Sequence, residues 1–165
     1  MPVQDDRVHF EFLVLESAQA GLSWATVLKK REGYRRAFAD FDYRIVAQFP
    51  ESYVQELLQD TSIVRNAQKI RAAINNAQRF MEVQQEFGSF STYIWGFVGG
   101  EPKINSLKRG EPYPATSEES DRLAKDLKKR GFKFLGSTII YAHMQATGLI
   151  NDHLVDCFRY EQVKI

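Results

Sequence analysis

The chain has 165 residues, 44% of them hydrophobic and 26% charged, a length and balance that suit one domain with a sizeable core and exclude a disordered polyelectrolyte. Twenty-two Lys and Arg against 21 Asp and Glu leave a formal charge of +1, so no global basic excess argues for a nucleic-acid partner and any such case rests on local clusters. The lone cysteine, Cys157, excludes an internal disulfide, apolar runs such as Phe12 to Leu15 are too short to cross a bilayer, and no signal-like segment opens the chain, all of which places the protein in the cytoplasm.

From Val8 to Ala18 apolar residues crowd nearly every position, which predicts a helix buried on most sides. Trp24, Val27, Leu28, Tyr34 and Phe38 fall on one stripe of a second helix, with Lys29, Lys30, Arg35 and Arg36 pointing away. Val54, Leu57 and Leu58 mark a short third helix. Ile70, Ala73, Ile74, Ala77, Phe80 and Met81 mark a longer fourth that stops near Gly88, and Phe90, Tyr93, Ile94 and Phe97 give a fifth. The stretch from Gly99-Gly100 to Thr116 carries three of the five prolines and reads as the one long loop. A polar helix from about Glu118 to Arg130 leads into Gly131-Phe-Lys-Phe-Leu-Gly136, followed by a helix that begins at Ser137 or Thr138 and reaches Gln145, and by another from Asn151 to Phe158. No stretch alternates as a strand and there is no internal repeat. The predicted fold class is all-α, one helical domain over residues 1–165.

The helix, short hairpin and helix at about 118–146 is the most specific architectural feature. Glycines at both ends of the hairpin let the backbone approach a partner closely, and Ser137 or Thr138 can cap the next helix. Free amides at that helix start, with Lys129 and Lys133 nearby, suit a phosphate; an ordinary corner between two helices would look the same. Glu16 lies within Val14-Leu15-Glu16-Ser17-Ala18-Gln19-Ala20-Gly21-Leu22-Ser23-Trp24, where its neighbours argue for burial. A buried carboxylate must find a partner or take up a proton, which makes Glu16 a site candidate; the plain alternative is a carboxylate that braces a neighbouring helix. Trp24 can offer a stacking face to a base or cation or can simply be core, and Trp95 is assigned to the core.

Two basic clusters, Lys29-Lys30-Arg31 and Lys125 with Lys128-Lys129-Arg130 and Lys133, are either phosphate contacts or solvated helix faces. His153 and Cys157, four apart, match the spacing of a metal-binding pair, but a closed zinc site needs four ligands. His9 and His143 sit on apolar helix faces, where a packed histidine is the plainer reading.

Taken together, Leu15-Glu16 with Gln19-Ala-Gly-Leu-Ser-Trp24, Thr26-Val-Leu-Lys-Lys-Arg-Glu32, Leu127-Lys-Lys-Arg-Gly-Phe-Lys-Phe134 with Gly136, and Asn151-Asp-His153 with Cys157 resemble the type I 3-methyladenine DNA glycosylases of the helix-hairpin-helix superfamily. The likeness runs from about Pro2 to Cys157. It implies a glycosylase-like helical domain that extracts a methylated adenine from alkylated double-stranded DNA and hydrolyses its glycosidic bond, acting as a monomer and with no cofactor required for the chemistry. It further implies that Glu16 contacts the base and Trp24 packs on it. Gly21 and Leu22 would fill the gap left in the duplex, and Lys129, Gly131, Lys133, Gly136 and Ser137 would meet the DNA backbone. The superfamily's catalytic aspartate is not expected here, and Asp152 is only a nominal counterpart. Members of the family begin with a short segment bearing a cysteine, a histidine and aromatics, ending in a Trp-Gly-Val-Pro-like string; this sequence starts at about that point with Met1-Pro2. The family's structural zinc is therefore expected to be incomplete here, with His153 and Cys157 as two of its ligands and the chain ends loosely tied. Two other functions stay open on the residues alone: a non-catalytic or inactive helix-hairpin-helix DNA-binding protein, and a helical protein with no DNA role, which suits the near-neutral charge but leaves the Glu16 and hairpin strings unexplained.

Overall fold

The computed structural model of the protein describes residues 2–19 and 21–162. In chain order these form α1 (Asp6–Ala18), α2 (Trp24–Lys29), α3 (Arg31–Ala37), α4 (Tyr43–Val46), α5 (Glu51–Leu57), α6 (Ala67–Phe87), α7 (Phe90–Trp95), α8 (Glu118–Lys129), α9 (Ser137–Ala146) and α10 (Phe158–Gln162). The fold is helical, as the periodicity predicts. The expectation of no strand is corrected by one short parallel pair, β1 (Lys103–Ile104) with β2 (Ile150–Asn151), in the register Lys103 to Ile150 and Ile104 to Asn151.

Helix α1 is the hub. Asp5 caps its start by accepting from the amides of Arg7 at 2.7 Å and Val8 at 3.2 Å, and every residue from Leu13 to Ala18 is buried. That is the burial expected of a helix apolar on nearly all sides. It packs against α6, α7 and α9. The carboxylate of Asp6 accepts from the amides of Phe90 and Ser91 at 2.9 and 2.8 Å, so the start of α1 also caps α7. Behind it, Phe80 of α6 stacks on Phe90 at 4.2 Å between ring centres and meets Phe10 edge-on at 5.5 Å. Rings packed this way each contribute on the order of 1 kcal/mol beyond the area they bury.

Three elements depart from those expected. The predicted second helix is broken at Lys30, whose backbone sits at φ −96° and ψ 0° and separates α2 from α3. Its apolar stripe runs on through the break, and Gly33 of α3 then lies so close to Ser62 that a Cβ there would be 2.3 Å from the Ser62 carbonyl. Helix α4 has four residues, too few for a period to show. The helix expected over Asn151 to Phe158 does not form until Phe158. Instead, the chain from Lys103 to Leu107 runs beside residues 149–155, with Lys103, Asn105 and Val155 donating to the carbonyls of Leu149, Asn151 and Leu107. These cross-chain bonds occupy backbone groups a helix would need.

Between α1 and α9 lies a histidine pair, both residues fully buried. His9 Nδ1 and His143 Nε2 are 3.1 Å apart, and His9 Nε2 reaches the Val3 carbonyl at 3.1 Å. A carbonyl oxygen only accepts, so His9 donates through Nε2 and accepts at Nδ1 from His143, leaving His143 Nδ1 buried without a partner among the described residues. Trp95, assigned to the core, is buried there and donates its indole N–H to the same Val3 carbonyl at 2.9 Å.

Candidate active site

Glu16 sits one turn from the end of α1 and is 4% exposed. No hydrogen bond or ion pair reaches its carboxyl among the described residues, and burial pushes its pKa up from 4.5 to about 7. The backbone then leaves the helix through Gln19, whose amide closes on the Glu16 carbonyl, and turns at Gly21, where φ is +81° and glycine is the residue that adopts it without strain. Leu22 follows, its amide held by the Gln19 carbonyl at 2.7 Å while its side chain stands exposed at the tip of the turn. Ser23 caps α2 by accepting from the Thr26 amide, which fixes Trp24 as the first residue of that helix, half-buried against the core. Glu16 thus lies near the end of α1, Gly21 and Leu22 in the turn that follows, and Trp24 at the start of α2.

The hairpin lies between α8 and α9. Ser117 and Ser120 form a reciprocal capping box at the start of α8, and the chain leaves that helix through Gly131 at φ +90°. Phe132 and Leu135 turn inward and are buried; Lys133 and Phe134 point out, Phe134 at φ +58° and exposed. Gly136, not Ser137 or Thr138, is the N-cap of α9, and no side chain caps that helix. The Ser137 hydroxyl turns back to Ser120 at 2.8 Å and to Asp121, so the expected cap is corrected: α8 has claimed it. The amides of Leu135, Gly136, Ser137 and Thr138 have no acceptor among the described residues. With the exposed Lys129 and Lys133 they form an anion-attracting face at the end of a ten-residue helix. An apolar groove of about 590 Å3 runs beside it, lined by Lys125, Lys128, Phe132 and Phe134 among others.

Arg130, in the same basic run, does not join that face. Its guanidinium pairs with Asp126 at 2.7 Å and Glu86 at 2.6 Å and lies over the rings of Phe87 and Tyr93. In the other basic cluster, Arg31 is tied to Glu11 at 2.6 Å and the Lys30 ammonium donates to the Thr61 carbonyl, which leaves Lys29 exposed.

Asp152 is buried and fully engaged: its carboxylate accepts from the Tyr141 hydroxyl, from Gln145 at 2.8 Å and from Asn105 at 2.6 Å. Three donors make it a brace between α9 and the long loop, poorly placed to act as a base. His153 and Cys157 share no helical face, because they lie in the turn before α10, with Nδ1 and Sγ 4.0 Å apart. Two ligands of a tetrahedral zinc stand about 3.5 Å apart, closer than this pair. Among the described residues no group of three or more His, Cys, Asp or Glu side chains converges, and the zinc expectation finds no support in these residues. A pocket of mixed polarity and about 350 Å3 adjoins them, lined by Tyr113, Gln145, Ile150, Asp152, His153 and Arg159; neither it nor the groove by the hairpin includes Glu16 or Trp24. No described helix is long and apolar enough to cross a membrane.

Sequence reasoning passed over Asn75 and Asn76 of α6, which grip the hairpin from behind. Asn76 donates to the Lys133 carbonyl and accepts from the Lys133 amide, both at 2.9 Å, and Asn75 donates to the Gly131 carbonyl at 2.8 Å. Two adjacent asparagines inside a helix are poor helix formers, which was the one signal available.

The sequence model of the methyladenine glycosylase family matches residues 1–160. DNA-3-methyladenine glycosylase 1 of Escherichia coli (strain K12) is 46% identical over 160 residues, covering 97% of this chain and 86% of the relative. A crystal structure of 3-methyladenine DNA glycosylase I superposes with a TM-score of 0.91 at 49% identity, over 96% of this chain and 87% of that one. A variant of 3-methyladenine DNA glycosylase I crystallised in complex with 3-methyladenine superposes with a TM-score of 0.93 at 38% identity, over 100% of this chain and 87% of that one. Fold and sequence therefore agree, and the protein belongs to the methyladenine glycosylase family.

Proposed function

We propose that this single helical domain is a DNA-3-methyladenine glycosylase of base-excision repair, a cytoplasmic, monofunctional and monomeric enzyme that hydrolyses the N-glycosidic bond of 3-methyladenine in alkylated double-stranded DNA. The observation that carries the reading is Glu16, a buried carboxyl left without a partner in a chain whose relatives are named for 3-methyladenine. A base methylated at this position is a cation, and an arriving cation favours the ionised carboxyl and draws its proton off. Neutral adenine offers no such return for the burial of a charge.

The site residues then divide the work. Leu22, at the tip of the Gly21 turn, enters the duplex and fills the space of the everted nucleotide. Trp24 lays its π-face on the cationic ring, and Glu16 supplies the opposite charge. The hairpin amides and Lys129 and Lys133 hold the phosphates on either side. The positive charge already weakens the bond to be broken. As the glycosidic bond breaks, its electron pair leaves with the base and cancels that charge; water adds at the sugar carbon and loses its proton to solvent. No group must protonate the leaving base, which accords with Asp152 being committed to three hydrogen bonds. A non-catalytic DNA-binding module is not favoured, because backbone binding has no use for an unpaired buried carboxyl.

Release of 3-methyladenine from methylated DNA tests this. The wild-type chain is expected to release the free base, and Glu16→Gln to lose excision by well over tenfold while its melting temperature holds or rises. Equal loss of excision and stability would return Glu16 to a bracing role, and no release by the wild-type chain would overturn the function.

A further inference from the structure

The hairpin owes its depth to Phe132 and Leu135, both buried, but apolar burial is non-directional and does not set which way the tip faces. Direction comes from α6. The Asn76 carboxamide, itself 4% exposed, meets the Lys133 backbone as a neighbouring strand would, with one bond given and one received at 2.9 Å each. No other group among the described residues pairs with the Lys133 amide or carbonyl. Asn75 adds a bond to the Gly131 carbonyl and another, at 3.3 Å, to Asn76 Oδ1, which holds the carboxamide in the required orientation. Burying an amide in the middle of a helix is unfavourable unless its hydrogen bonds are met, and here the hairpin backbone supplies the two shorter ones.

We propose that Asn76 is a positioning residue for DNA engagement: it clasps the back of the hairpin so that the unpaired amides of Leu135, Gly136, Ser137 and Thr138, together with Lys133, stay aimed outward as one rigid face. The proposal rests on the reading of the hairpin as the DNA-backbone contact. Its consequence is selective. Glu16 and Trp24 belong to other elements, so loss of the clasp disturbs the grip on DNA and leaves recognition of the base itself intact. Preorganised donors lose much of their value when their supports allow even modest misplacement.

The test compares the full chain with Asn76→Ala and Asn76→Asp, the second of which keeps the acceptor for the Lys133 amide and loses the donor to its carbonyl. Four quantities are read: melting temperature, binding of free 3-methyladenine, affinity for a duplex with an abasic site over a salt series, and hydrogen exchange at the Lys133 amide. Both variants are expected to bind the duplex roughly tenfold more weakly, with a shallower salt dependence and unchanged affinity for the free base. Lys133 exchange should rise in Asn76→Ala and stay slow in Asn76→Asp. Unchanged duplex affinity in a folded variant would overturn the proposal, as would parallel loss of duplex and base binding. Should Asn76→Ala fail to fold, Asn75→Ala, which removes the bond to the Gly131 carbonyl and the longer one to Asn76 at a half-buried position, is expected to weaken duplex binding by a smaller factor, and no change there would overturn the proposal equally. A wild-type chain that binds the free base but no DNA would instead refute the reading of the hairpin, and the clasp's purpose with it.

Discussion

Replacing Glu16 by Gln is the substitution on which function and stability should part most clearly. Burial raises the carboxyl from 4.5 to about 7, so below pH 4.5 it is protonated whether the chain is folded or not and has no effect on folding. Between the two values the folded state holds a proton that the unfolded state has released, and stability falls as pH rises until it levels off above 7. From pH 5 to pH 8 the wild-type chain should therefore lose about 2.5 kcal/mol relative to Glu16→Gln, a neutral side chain of the same shape. Comparing the pH slopes of the two proteins cancels the constant cost of burying an amide and the titration of every other group. Urea denaturation at half-unit steps between pH 5 and pH 8 measures it, with methyladenine release followed on the same samples. The variant should become progressively the more stable protein while it fails to excise. Parallel stability curves would mean that Glu16 is solvated or paired in solution, and would remove the basis for its role in holding a cation.

The histidine pair acts in the opposite direction: burial lowers His143 and His9, with Val3, Asp6 and Asp5 partly opposing the shift at His9. The unfolded chain takes up protons first as pH falls below 6.5, so stability drops by up to about 1.4 kcal/mol per pH unit for each such group; His143→Phe should flatten that limb in the same titration, and an unchanged slope would refute the assignment. Lys133→Ala should weaken duplex binding at low salt and reduce the log–log salt slope by about 0.9 with no change in melting temperature; an unaltered slope would remove Lys133 from the phosphate contacts. Ser117→Ala removes one half of the capping box of α8 and should cost about 1 kcal/mol in denaturant unfolding. Gly33→Ala sets a methyl against the Ser62 carbonyl, and a loss of about 1–3 kcal/mol is expected, whereas a neutral result would show that the 60–64 loop yields.

Helices α1 and α6 were legible because their apolar residues run over several turns, and α5, α7, α8 and α9 also stand where the sequence puts them. What escaped depends on contacts remote in sequence. The stripe from Trp24 to Phe38 carries no mark of the break at Lys30, nor of the close approach of Ser62 to Gly33 beyond it. The spacing of His153 and Cys157 suggested a helix, but residues near Asn151 are captured by a strand some 47 positions earlier. At the site, the burial of Glu16 was readable from its neighbours; its lack of a partner was not, because that depends on every chain segment that passes it. Arg130 looks like one more surface charge in a lysine run until Glu86, Asp126 and the rings of Phe87 and Tyr93 are seen around it. The clasp on the hairpin joins residues 57 apart and left only two unexplained asparagines in the sequence.

The contrast between two buried carboxyls decides which of them belongs to the chemistry. Asp152, 8% exposed, accepts from Tyr141, Gln145 and Asn105, so its charge is compensated within the fold. Glu16, 4% exposed, has no donor among the described residues and carries its burial as a direct cost. A bracing carboxyl would be expected to resemble Asp152, since a single suitably placed Asn or Tyr suffices to satisfy it. A carboxyl that is left unsatisfied is useful only when its partner comes from outside, and the partner that recovers the most is a cation that arrives desolvated. A methylated base turned out of a duplex is such a partner, and adenine is not. Discrimination between them then comes from what the protein withholds from Glu16 as much as from anything it adds around the base.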